Sequence, residues 1–154
     1  METDTHHAGN VLLIQVASIV LVFALILAWC IVGKNFGIPL FNAIFAGKVI
    51  RIIQAHIDFL LMAALLFGIY STKVPLPWHV QWSFGFGAIG NPLLFLLEAL
   101  IPAFDPTTPV DGADIRLLMV FMVVSISLTT YGVGMSALLI LRSTFTSRRS
   151  SSFE

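Results

Sequence analysis

Four long apolar runs dominate this chain, and what interrupts each run sets it apart from the others. From Val11 to Val32 there are 22 residues without a charge. At about 1.5 Å per residue such a helix reaches roughly 33 Å, enough to cross a hydrocarbon core. The second run, Val49 to Ser71, holds Arg51, Gln54, His56 and Asp58 in its first half and is purely apolar from Phe59 to Ile69. Its polar half faces something other than lipid. The third, about Trp78 to Ile101, is broken by Gly85, Gly87, Gly90, Asn91, Pro92 and Glu98. The fourth, Leu117 to Leu141, has no charge but a small and polar middle of Ser125, Ser127, Thr129, Thr130, Gly132, Gly134 and Ser136. Residues of that kind let helix backbones approach closely and hydrogen-bond across an interface.

The connections differ in kind. Thr72 to Pro77 is too short for anything but a tight antiparallel hairpin, so the second and third helices are neighbours. Gly33 to Lys48 reads GKNFGIPLFNAIFAGK, too apolar for a solvated loop and too short to cross, which predicts an interfacial or re-entrant piece. Pro102 to Asp114 carries three prolines and three aspartates and reads as an exposed irregular loop. The ending RSTFTSRRSSSFE, residues 142–154, reads as a disordered, solvated tail. The expected architecture is therefore an all-α, multi-pass membrane bundle of four transmembrane helices forming a single domain over residues 1–154.

Composition sharpens this picture. With 58% hydrophobic residues, 10% charged and a mean hydropathy of +0.96, the chain suits a bilayer rather than water. Eight basic residues balance eight acidic ones, which leaves no cationic face for nucleic acid. The single Cys30 cannot form an intrachain disulfide, and with four histidines no Cys/His zinc cluster is available. The residues before the first run carry Glu2, Asp4, His6 and His7 and no basic residue, so a retained helix is expected rather than a secretory signal. Basic residues divide four against four between the two sides. With Arg51 and Arg116 assigned to helix ends, both termini are expected on the cytoplasmic side.

Ionisable side chains inside a span cost roughly 2.5–3.5 kcal/mol each on insertion scales, so their presence points to a bundle-facing or functional role. Three stand out: His56, Asp58 and Glu98. At about 100° per residue His56 shares a stripe with Ile52, Phe59, Leu60 and Ala63. Asp58 points about 200° away, towards Arg51, Gln54, Ala55 and Met62. The two therefore form no dyad. His56 has two readings: one ring nitrogen bonded to a carbonyl, or an axial haem ligand with apolar and aromatic neighbours such as Phe59 and Phe67. Asp58 reads as a polar contact with Gln54 or a neighbouring helix, or as a group that tunes charge and proton transfer. In the third run Pro92 cannot donate to the Ala88 carbonyl, so a kink is expected near Asn91. Asn91, Phe95 and Glu98 share one face. Asn91 is then either part of a packing helix or the lining of a pocket opposite His56, bonding a substrate oxygen. Glu98 either snorkels to the interface or serves that pocket.

The segment RIIQAHIDFLLMAALL, followed by a short loop and GAIGNPLLFLLEAL, resembles the small four-helix membrane family containing styrene oxide isomerase and hydroxylaminobenzene mutase. The resemblance covers roughly residues 45–100. It implies a ferric haem b held at subunit interfaces of a homotrimer by the His of an Ala-His dipeptide, here Ala55-His56, with the open iron face acting as a Lewis acid on an epoxide oxygen. It also matches Asn91 to the family's helix-three Asn. Met62 and Phe95 stand where the isomerase has an Asn and a Tyr, which removes two hydrogen-bonding groups from an epoxide pocket. On this resemblance His56 is the metal and cofactor ligand, and Asn91 and Asp58 are the candidate catalytic residues. The expected function is rearrangement of a small apolar substrate, an isomerase reaction without net redox change. The alternative is a non-enzymatic oligomeric bundle that escorts a partner through the small-residue faces of the third and fourth helices. Ion transport through Asp58, Glu98 and His56 lacks the paired charges and repeats such a role demands.

Overall fold

The computed structural model describes residues 10–105 and 113–150. The protein is all-α, with helices α1 (Val11–Asn35), α2 (Pro39–Ile44), α3 (Val49–Ser71), α4 (Trp78–Leu100) and α5 (Ala113–Ser150), and one 3-10 turn at Pro102–Phe104. α1, α3, α4 and the Arg116–Phe145 part of α5 are long and apolar enough to cross a membrane, which makes this an integral multi-pass membrane protein. Only helices that satisfy their own backbone can do so in lipid.

Side-by-side order is α1, α3, α4, α5. α1 packs on α3, α3 on α4, and α5 principally on α4. α1 is apolar all round, so its buried stripe of Leu13, Val16, Ala17, Val20, Ala24 and Leu27 is chosen by its partner. α3 answers with Ile52, Ala55, Phe59, Met62, Ala63 and Leu66. The α4–α5 contact is backbone-close, as small residues allow. A Cβ on Gly132 would lie 2.5 Å from the Phe84 nitrogen, and one on Gly87 would lie 2.6 Å from that of Thr129.

The ends are tied by specific bonds. Before α1, Asn10 donates from Nδ2 to the Val74 carbonyl (2.8 Å) and accepts at Oδ1 from the Leu76 N–H (3.2 Å). The start of α1 is thus clamped to the α3–α4 hairpin, and four crossings bring the far end of α5 to the same side. At the opposite end Gly37 adopts φ +71°, a left-handed turn that glycine permits at no steric cost, and redirects the chain into α2. α2 lies between two spans with Leu40 and Ile44 exposed, and Phe36 just before it is exposed as well. That is an apolar connector of the kind the sequence predicts.

Two expectations are corrected. Residues 142–150, expected to be a disordered tail, continue α5 as helix to Ser150, whereas 151–154 lie outside the described residues. Within the expected loop 102–114, Asp105 is not exposed but 3% accessible and ion-paired. Helix resumes at Ala113, and residues 106–112 lie outside the described residues.

Candidate functional site

Because α5 leans on α4 and not on α3, a cleft opens between α3, α4 and α5. It forms a cavity of about 490 Å³, reached from α3 by Gln54 and Asp58, from α4 by Asn91 and Glu98, and from α5 by Met122 and Ile126. Phe104 borders the same cavity. This volume falls within the range of small-molecule sites, roughly 300–1,000 Å³. The remaining lining is Ile, Leu, Phe and Met.

The end of the cavity nearest the α2 connector is charged. Arg51 Nε lies 3.0 Å from Glu98 Oε2, its Nη2 is 3.1 Å from Asp105 Oδ1, and its Nη1 donates to Gln54 Oε1 at 2.9 Å. Lys48 reaches Asp105 Oδ2 at 3.2 Å. Glu98 therefore does not snorkel to the interface: it pairs with Arg51 by charge, although its Oε2 lacks a partner in hydrogen-bond geometry. Lys34 donates to the carbonyls of Phe45 and Gly47, closing the neighbouring turn.

Deeper in, Asn91 belongs to a ring of hydrogen bonds with α5. Its Nδ2 donates to Thr129 Oγ1 (3.1 Å), Thr129 Oγ1 donates to the Ser125 carbonyl (2.9 Å), and Ser125 Oγ donates to Asn91 Oδ1 (2.9 Å). Since the Thr129 hydroxyl spends its proton on that carbonyl, it accepts from Asn91, which sets the amide's orientation. Among the described residues one N–H of Asn91 is left over.

Asp58 differs from all of these. Gln54, the partner expected for it, is engaged by Arg51. No hydrogen bond or ion pair reaches the Asp58 carboxyl among the described residues, and it lines the cavity half-buried at membrane depth.

His56 lies elsewhere. Its Nδ1 sits 2.9 Å from the Ala24 carbonyl on α1, and because a carbonyl only accepts, Nδ1 is the donor, which in the neutral imidazole leaves the lone pair on Nε2. Beside it Phe23 and Phe59 stack at 6.0 Å. The sequence reading that set His56 and Asp58 on different faces of one helix matches this geometry. The pocket with Asn91 opposite His56 does not: within one chain His56 faces α1, and the cavity lies on the other side of α3. Among the described residues no three His, Cys, Asp or Glu gather to hold a metal ion. A haem, however, needs a single axial imidazole, and His56 with a bare Nε2 fits that requirement.

Arg51 and Asp105 are the functional-site residues that sequence reasoning missed. The signal was present only for Arg51, a cation one turn above Gln54, whereas Asp105 had no cue beyond its place in a proline-rich loop. Compared with protein-family models, with curated proteins and with solved structures, the chain finds no match in any of the three.

Proposed function

We propose that this protein is a haem-b-binding membrane enzyme of the epoxide-isomerase-like type, rearranging a small apolar substrate without net redox change. The observation that carries this reading is the His56–Ala24 hydrogen bond. A backbone carbonyl on Nδ1–H fixes the tautomer and ring orientation and raises the basicity of Nε2, which is how proteins prepare an imidazole to ligate a metal. His56 holds the iron, and when bound, ferric haem supplies a Lewis acid for a substrate oxygen. The stacked Phe23 and Phe59 suit a flat apolar ring.

The cavity between α3, α4 and α5 takes the substrate. Its apolar walls exclude water, the spare N–H of Asn91 donates to a substrate oxygen, and Asp58 holds or returns a proton at its carboxyl. His56 and this cavity lie on different sides of α3, so the reading calls for a homo-oligomer, a trimer by resemblance, in which one copy's His56 face meets another's cavity. The ends of α1 and α5 that share one side are assigned to the cytoplasm.

The test is a visible spectrum of protein purified in detergent from haem-replete cells. A Soret band that shifts on reduction, disappears in His56→Ala and persists in His79→Ala is expected. His79, whose Nδ1 lies 2.9 Å from the Tyr131 hydroxyl at the other end of the bundle, controls for loss of any histidine. A flat spectrum from folded protein, or equal haem loss in both variants, overturns the assignment.

A further inference from the structure

Among the described residues, one of the cavity's two ionisable groups, Glu98, is charge-paired and the other is not. Arg51 is committed to Glu98, Asp105 and Gln54, and Asn91 to Ser125 and Thr129. Asp58 has no partner among the described residues. The titratable groups lining the cavity are Asp58 from α3 and Glu98 from α4, both acidic; the described lining residues of α5 are Leu118, Met119, Met122 and Ile126, none of which titrates. The cations at the charged end, Arg51 and Lys48, are turned to carboxylates. An ionisable side chain within a span points to a bundle-facing or functional contact, and nothing among the described residues answers Asp58. What fits is a ligand with a single cationic donor and an apolar body.

We propose that the cavity binds a small amphiphilic amine, its ammonium on the Asp58 carboxylate and its apolar body against Leu61, Leu94, Phe95, Met122 and Ile126. An ammonium adds the attraction of opposite charges to its hydrogen bond with a carboxylate, which a hydroxyl does not, and that attraction grows out of water. An alcohol of the same shape fills the cavity but leaves the carboxylate without its counter-charge, and a carboxylic acid brings a second negative charge to it. The inference rests on the α3–α4–α5 cavity alone and stands whether or not His56 holds haem.

Binding of radiolabelled octylamine to the full chain in lipid nanodiscs, with empty nanodiscs subtracted, tests this against unlabelled 1-octanol and octanoate as competitors. Saturable binding near one per chain is expected. Octanol should compete about tenfold more weakly or worse, and octanoate should not compete. Asp58→Asn should lower octylamine affinity to that of octanol, and His79→Ala, at the other end of the bundle, should leave it unchanged. Equal competition by octylamine and octanol overturns the role of charge, and that comparison in the unaltered protein holds even where Asp58→Asn fails to fold. Loss of the amine preference in Glu98→Gln but not in Asp58→Asn overturns the assignment to Asp58.

Discussion

Removing the Arg51 guanidinium while keeping its bulk, as Arg51→Leu does, leaves two carboxylates at the charged end of the cavity. Arg51 is 14% accessible, Glu98 12% and Asp105 3%, so these charges are largely out of water. Breaking a buried pair by deleting one partner costs about 3–5 kcal/mol, because the other charge stays behind uncompensated. Asp105 keeps Lys48 at 3.2 Å, whereas Glu98 is left with no cation and already has an oxygen without a hydrogen-bond partner. The expected loss is therefore at the lower end, about 3 kcal/mol, or roughly a hundredfold in the folding equilibrium. Reversible unfolding in mild detergent, titrated with dodecyl sulfate and followed by circular dichroism, reads it. Glu98→Leu added to Arg51→Leu removes the stranded charge and should recover about 1–2 kcal/mol. A single-variant cost under about 1 kcal/mol, the scale of exposed pairs, would refute the reasoning. So would strictly additive costs in the double variant.

Two further outcomes are expected from the backbone. Gly132→Ala drives a methyl to 2.5 Å from the Phe84 nitrogen and 2.6 Å from its Cα, backbone that cannot swing aside. The same unfolding titration should show a loss of about 1–3 kcal/mol, and Gly134→Ala, with open space at that position, should show none. Lys73 holds φ +59° in the α3–α4 hairpin, a left-handed conformation that costs a side-chain-bearing residue about 1 kcal/mol. Lys73→Gly should therefore be neutral or stabilising by up to about 1 kcal/mol, and a destabilisation greater than that would count against the strain.

Much of this molecule is set by local order along the chain. A run of twenty-odd apolar residues in a bilayer satisfies its backbone only by i to i−4 bonds within itself, so the number of the spans follows from the residues that compose them. The six residues after Ser71 leave room only for a hairpin, and the glycines and hydroxyls of α4 and α5 mark a close contact. The opposite faces of His56 and Asp58 follow from helical period alone.

What tertiary structure decided is which partner each group meets. α1 has no polar face to orient it, so only packing on α3 selects its buried stripe and delivers the Ala24 carbonyl to His56, 32 residues away. Arg51 and Asp105 are 54 apart, joined because α3 and α4 run antiparallel and bring a helix start beside a helix end. Asp58 stands alone because Arg51 takes Gln54 and because α5 packs on α4 and leaves α3 uncovered there. That choice depends on how well Gly87 and Gly132 let α4 and α5 close together, a balance of long-range contacts that no window of sequence contains.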